Sequence, residues 1–521
     1  MSKKTGIRCA AVLFAAAVLG MTAALPVLAQ EESGTVPVTT AAAEETAAPT
    51  VTEVTADADE ESKEDLYAAD ATSPPLPDDP NDVLAGIEYE KTDDGGIRIV
   101  KYKWTSAKHI DIPAQIDGLP VTELGEECFR YCYADSVSLP DTIKIVGERA
   151  FFFCSYLQSV TIPDGCERIG THAFDSCEQL KEITIPQSVK FIGFDAFADT
   201  PFNDTLTDEF VILGDSFLYR YNGEADNVVI PDTVKAIGEY AFETNGLKSV
   251  QIPASVKRIE EFAFSYCESL SKIEVPDSID YIAANSFANT KWQRDNKDKF
   301  VILGPVLMDY QGEDAEVTVP DGIRIIAERV FTFSTELTTV RLPDSVQVIG
   351  EGAFARCPNL QIVELGENVE VIGRKAFEAC KSLNYLRVGH KLREIGEDAF
   401  LECWKLETVY LPDTVEKIGA HAFGYQFGED ADTYLKMDNP LVLYSNTEEV
   451  RSYAEEAEVP QEPLPDEQNT KPEPVLTTAP DAADKLGKVT GKAWIPACIL
   501  GGVLVLVGGS AAVIRSKKKK D

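Results

Sequence analysis

The chain has 521 residues, 26% of them charged and 44% hydrophobic, a balance that suits folded protein and excludes wholesale disorder. A total of 48 basic against 87 acidic residues leaves a net charge of −39, which repels phosphate backbones and argues against nucleic acid as a partner. Four histidines and no Cys/His cluster at metal spacing leave the common zinc motifs without support, and neither metal nor cofactor is expected.

Residues 1–29 read as a secretory signal. Lys3, Lys4 and Arg8 precede an apolar stretch, and Val27-Leu28-Ala29 offers a cleavage site. A retained membrane helix is the alternative, but polar sequence follows at once. Residues 30–81 carry 14 acidic residues and one Lys among Thr, Ala and Pro, too polar to offset the entropy of ordering. Residues 82–124 are expected to form an N-terminal cap hairpin and the first repeat. Tyr89, Asp94-Gly95-Gly96 and the run from Ile97 mark the hairpin.

From 125 to 440 the sequence repeats. A phenylalanine after Ala or a similar residue falls at 129, 151, 174, 197, 242, 264, 287, 331, 354, 377, 400 and 423. The spacing is 22 or 23 residues, except for two gaps of 45 and 44. Each gap holds a common insert, at about 198–230 and 288–320. Phe210-Val211-Ile212-Leu213-Gly214 matches Phe300-Val301-Ile302-Leu303-Gly304, and Tyr221-Asn222-Gly223 matches Tyr310-Gln311-Gly312. Both are expected to be hairpin-like, turning at the Asn-Gly or Gln-Gly pair. Within a unit, Leu157, Val160 and Ile162 predict a short strand with alternate side chains inward. Pro163-Asp164 predicts a turn, while Gly170 and Ala173 mark close approach of neighbouring coils. One 23-residue unit has too little apolar surface to fold alone, so units must stack and share a core.

Residues 441–457 are expected to close the stack with a strand, Leu441 to Tyr444, and a helix starting near Thr447. Residues 458–492 read as an acidic disordered stalk. Residues 493–514 are 22 uncharged positions, long enough to span a bilayer. The basic tail 515–521 then predicts a single-pass cell-membrane protein with its N-terminal part outside and the tail in the cytoplasm. Lys488-Val489-Thr490-Gly491 lacks the Leu-Pro of a sortase signal, which favours a retained anchor.

The pattern Leu-x-x-Val-x-Ile-Pro, then Ile-Gly-x-x-Ala-Phe-x-x-Cys, resembles the BspA-type leucine-rich repeat over about a dozen copies. The sequence departs from it at Leu365-Gly366 and Val388-Gly389, where Pro is missing, and at Glu260, Ala283 and Ala327, which replace Gly. The resemblance implies a curved leucine-rich-repeat solenoid of 23-residue units with caps at both ends, mainly β with short turns and helical segments. It also implies a bacterial surface protein mediating adhesion or recognition of an extracellular protein or glycan. The alternative is a structural or sensing envelope protein that binds wall or peptide components.

Seven cysteines, at 132, 154, 177, 267, 357, 380 and 403, follow the repeat Phe by three. A disulfide ladder or metal row is one reading; a buried small hydrophobe at a fixed slot is favoured. Cys128, Cys132, Cys154 and Cys166 could still pair locally. His172 and His421 share one slot before the Ala-Phe, which points to packing. His109 and His390 have no nucleophile at motif spacing, and no GxSxG, HExxH, P-loop or GxGxxG occurs, so no enzyme activity is expected. On the concave strands the third and fifth residues of the Leu-x-x-Val-x-Ile stretch should face outward. In the C-terminal half these rows carry Arg341, Ile362, Tyr385, Arg387 and Tyr410, with Trp404 nearby in sequence. Such side chains are enriched at binding hot spots and form the candidate ligand patch.

Overall fold

The computed structural model describes residues 84–465, apart from 93, 104–106, 243–245, 429–432 and 439. The signal segment, the acidic segment 30–81, the stalk beyond 465, the apolar run 493–514 and the basic tail lie outside the described residues, as do Cys9 and Cys498. No described helix is long and apolar enough to cross a membrane.

Each repeat makes one turn of a β-solenoid, and about 14 turns stack. In one unit, Ser159–Thr161 is a three-residue strand whose middle residue, Val160, is buried between outward-facing neighbours. The Pro163-Asp164 turn leads to the two-residue strand Arg168–Ile169. Successive coils pair in parallel: Ser136 with Ser159 and Ser159 with Glu182 on one side, Ile145 with Arg168 and Arg168 with Phe191 on another.

The third side of each coil is also a hydrogen-bonded ladder. Arg149, Phe151 and Phe153 donate their N–H groups to the carbonyls of Thr171, Ala173 and Asp175 in the next coil, at 2.8–2.9 Å. Among the described residues, 23 non-glycine residues have positive φ. All but Asp117, Ser216 and Glu458 lie two residues before or two after a repeat Phe. Left-handed backbone is unfavourable for a side chain with a Cβ. Alternating it with right-handed residues turns every second N–H along the stack, so the inter-coil bonds offset the strain.

The repeat phenylalanines form columns of parallel rings. Phe331, Phe354, Phe377, Phe400 and Phe423 have centroids 4.7–5.1 Å apart and planes within 7° of parallel. The two gaps in the Phe series are filled by tyrosine. Tyr221 stacks on Phe242 at 4.9 Å and, at the N-terminal end, Tyr102 on Phe129 at 5.0 Å, while Tyr310 meets Phe331 at 4.8 Å with the planes tilted by 37°. Each of these tyrosines ends the second strand of an antiparallel hairpin: Ile87–Lys91 with Ile97–Tyr102, Phe210–Leu213 with Phe217–Tyr221, and Phe300–Leu303 with Val306–Tyr310. The inserts are therefore hairpins, but their turns are not at Asn222-Gly223 or Gln311-Gly312. The chain reverses at Gly214–Ser216 and at Gly304-Pro305, where Gly214 (φ +51°) and Gly304 (φ +56°) adopt left-handed backbone. The Asn-Gly and Gln-Gly pairs lie after the second strand, beyond the tyrosine.

Each column also ends on an edge-on aromatic: Phe202 against Phe197, Trp292 against Phe287 and Tyr453 against Phe423, with centroids 5.2, 5.9 and 6.3 Å apart. Phe202 and Trp292 belong to one-turn helices, Pro201–Asp204 and Lys291–Asp295. Their N-caps, Thr200 and Thr290, stand in the slot that holds Cys elsewhere, and each hydroxyl accepts an N–H three residues on. A Thr in the Cys slot thus marks the point where the regular coil is interrupted. The ladder of two-residue strands breaks into three sheets at the inserts. The buried side chains group into two clusters that meet at Phe217 and Leu218.

The C-terminal cap runs further than residue 457. Val442–Tyr444 pairs with Thr408–Tyr410, and Gln461–Glu462 adds a further strand beyond it, so the stalk cannot begin at 458. Between them, helix Glu448–Ala457 starts at Thr447, whose hydroxyl accepts the Val450 N–H. Tyr453 from this helix closes the last coil: its hydroxyl accepts the Phe423 N–H at 2.6 Å and donates to the Phe423 carbonyl at 2.8 Å.

None of the nine cysteines among the described residues forms a disulfide, and all are buried. Six of those following the repeat Phe donate S–H to the Phe carbonyl one coil earlier, from Cys154 to Phe129 (3.1 Å) through Cys403 to Phe377 (3.2 Å). The slot is therefore a packing position with a weak donor, not a crosslink. Burial raises the Cys128, Cys154, Cys380 and Cys403 thiols and pushes Cys166 up to about 11, whereas a hydrogen bond with the Cys154 thiol holds Cys132 below its ordinary value. We expect Cys132 to be the first of the nine to react with a thiol reagent at neutral pH, the others following only with unfolding. Peptide mapping of a timed alkylation checks this; labelling of Cys154 or Cys380 ahead of Cys132 would contradict it.

Candidate recognition surface

The three-residue strands present two outward rows. In parallel register, Thr339 faces Ile362 and Ile362 faces Tyr385, while Arg341 faces Glu364 and Glu364 faces Arg387. Tyr410 faces Tyr444 from the cap strand.

Arg341, Tyr385 and Arg387 share one four-stranded sheet, while Tyr410 lies on the separate three-stranded sheet with Tyr444, so the expected patch is not one continuous surface. Ile362 is only 7% exposed between its register neighbours Thr339 and Tyr385, and is removed from the contact surface. Trp404 is exposed but sits on the turn after Cys403, where the Lys381 ammonium lies 4.9 Å from its ring centre. Tyr444 is the addition. It stacks on Tyr410 with centroids 4.8 Å apart and planes 17° from parallel. Simple repeat counting misses it because Tyr444 follows Tyr410 by 34 residues, not 23.

Both arginines are held by carboxylates. Arg341 donates to Glu316 at 3.2 Å and lies 3.6 Å from Glu364; Arg387 donates to Glu367 at 3.0 Å. These pairs are partly exposed, so they orient the guanidiniums more than they stabilise the fold. Burial raises the Tyr385 phenol above its ordinary value, with the Glu364 charge adding to the effect. The result is a fixed surface of two guanidinium planes and three phenol rings, with little net charge of its own.

In a separate sheet of three-residue strands at the N-terminal end, the parallel register puts His109 opposite Ser136. His109 Nδ1 lies 2.7 Å from Ser136 Oγ, and Nε2 lies 3.0 Å from Asp111 Oδ1 and 3.1 Å from Ser138 Oγ. A hydroxyl hydrogen bond from Ser138, with a second from His109, lowers the Asp111 carboxyl. Sequence spacing cannot show this network, since His109 and Ser136 are 27 residues apart. It contains the three groups of a nucleophile, base and acid. However, the neighbouring ladder N–H groups of Ile112 and Ser136 already donate to Ser138 and Lys108 carbonyls, and are not free to hold an oxyanion. The Asp111 side chain is 75% exposed, so water weakens its grip on the imidazole.

The family profile described as BspA type leucine rich repeat region (6 copies) matches residues 97–217, 211–296 and 310–427, more than half of the chain. The chain belongs to the BspA-type leucine-rich-repeat family. The three matched segments follow the three blocks that the hairpins open. Solenoids of this family are typically non-enzymatic, and leucine-rich repeats in general bind proteins or other ligands. No curated protein matches the chain. Among solved structures, similarity extends to a leucine rich cell surface protein from Faecalibacterium prausnitzii, 26% identical over 64% of this chain and 93% of that one, with a TM-score of 0.24. A leucine-rich repeat protein from Bacteroides ovatus is 21% identical over 73% and 98%, with a TM-score of 0.23. The pneumococcal vaccine antigen PcpA is 16% identical over 73% and 97%, also with a TM-score of 0.23. Superpositions with scores this low add nothing to the family match.

Proposed function

We propose that this BspA-type protein is a recognition protein of the bacterial surface, held in the membrane by residues 493–514, that binds an extracellular protein or glycan. Arg341, Tyr385, Arg387, Tyr410 and Tyr444 form the contact surface. The observation that carries this reading is the row of Tyr and Arg side chains on two successive sheets of three-residue strands. Rigid aromatic and guanidinium planes lose little entropy on contact, and they are the side chains that dominate binding energy. The chain's acidity and the absence of a net positive patch here favour stacking and hydrogen bonding over attraction to phosphate.

Arrays of host proteins and glycans, probed with the wild type and with Tyr385, Arg387 and Tyr410 all changed to alanine, test the surface. The triple variant should lose at least about tenfold in binding, provided its circular dichroism is unchanged. Equal signals would remove the surface from the mechanism. Protease treatment of intact cells tests the anchor. The solenoid should be clipped without lysis; a domain cleaved only after lysis would favour a structural or sensing role within the envelope.

A further inference from the structure

Asp398 and His421 occupy the same slot in consecutive coils, two residues before Phe400 and Phe423, with φ of 56° and 53°. Their side chains meet beneath the hairpin formed by Tyr425–Phe427 and Tyr434–Lys436. The Asp398 side chain is fully enclosed, at 0% exposure, yet only one carboxylate oxygen accepts a hydrogen bond. Oδ2 accepts from the Tyr434 hydroxyl at 3.2 Å and lies 3.8 Å from Lys375 Nζ. Among the described residues, neither Asp398 Oδ1 nor His421 Nδ1 has a hydrogen-bond partner, and the two atoms are 3.6 Å apart. Glu397, exposed at the mouth, places a carboxylate oxygen so that all three ligand atoms lie within 4.8 Å of one another.

A buried acceptor without a donor normally costs about 1–3 kcal/mol, more when charged. Oδ1 and Nδ1 face each other at ion-pair distance: a proton on the imidazole nitrogen satisfies both, and with Nδ1 unprotonated the pair matches the demands of a metal cation. Ligands about 2.0–2.2 Å from a tetrahedral zinc lie roughly 3.4 Å apart, close to the spacing of Oδ1 and Nδ1. Glu397 is exposed, and its ligand oxygen lies within 4.8 Å of both. The outer partners are also present: the Tyr434 ring stacks on the imidazole at 3.7 Å, 9° from parallel, while its hydroxyl fixes the carboxylate. His172, in the same slot earlier in the chain, instead bonds Asp175 at 2.8 Å. The arrangement is therefore particular to the C-terminal end.

We propose that Glu397, Asp398 and His421 bind one divalent transition-metal ion of the zinc type, tying the last two repeat coils together under the cap hairpin. The imidazole favours zinc over calcium or magnesium, which prefer all-oxygen ligands. The site was invisible in the sequence because its ligands are one solenoid turn apart and follow no metal-binding motif.

The test is titration of the full chain, stripped with a chelator, with zinc chloride against a chromophoric competitor. One equivalent of zinc should bind. Glu397→Gln, on the surface, should weaken binding by about tenfold or more. His421→Phe, which keeps a ring on Tyr434, should abolish it; if that variant fails to fold, the Glu397→Gln result decides. Three outcomes would each overturn the site: no stoichiometric binding at micromolar zinc, equal affinity in the wild type and Glu397→Gln, or calcium binding as tightly as zinc.

Discussion

Replacing Phe354 by alanine is expected to destabilise the solenoid by about 3–5 kcal/mol, measured by urea unfolding. Phe354 has no exposed surface and lies between Phe331 and Phe377, 4.8 and 5.1 Å from their ring centres. Truncation loses the transfer energy of the ring, two stacking contacts and the support of both neighbours. The neighbours cannot close the gap, because three hydrogen-bonded ladders hold the coils at a set spacing. Phe153→Ala provides the contrast. That ring is 40% exposed on a turn, and its loss should change stability by no more than about 1 kcal/mol. Similar losses for the two variants would mean that the Phe column is not the core of the stack.

The second large effect concerns close approach. A Cβ added at Gly396 would lie 2.5 Å from the Arg374 nitrogen and 2.7 Å from the Gly373 carbonyl carbon, both backbone atoms of the preceding coil. Gly396→Ala must push two coils apart and should cost about 1–3 kcal/mol or more. Ala283 and Ala327 fill the same slot natively, so a Cβ is not forbidden in every unit; at Gly396 the adjacent backbone occupies its space. Gly246→Ala, where nothing lies within 4 Å, should be neutral or stabilising by up to about 1 kcal/mol. Thermal unfolding of the two variants in parallel gives the comparison, and equal midpoints would refute the close-packing account.

Much of the fold is legible without coordinates. The Phe period, the alternation around Val160 and the Cys slot each describe one coil, and each coil repeats the same local solution. Even the three blocks leave a trace: Tyr102, Tyr221 and Tyr310 take the place of Phe, and Thr200 and Thr290 the place of Cys. The candidate surface is less legible. Alternation along a strand places Arg341, Tyr385, Arg387 and Tyr410 on the outer face, but it gives Ile362 the same status although its register neighbours bury it.

The amino-acid sequence alone determined the unit, its length and which side chains point into the coil, because these depend on neighbours a few residues away. Tertiary structure decided what each coil offers the next: the tyrosines that open each ring column, the Tyr410–Tyr444 stack, the pairing of His109 with Ser136 and the meeting of Asp398 with His421. Those contacts join residues 21 to 34 positions apart. They depend on strand register across the stack, which inserts and caps shift by amounts that no local pattern records.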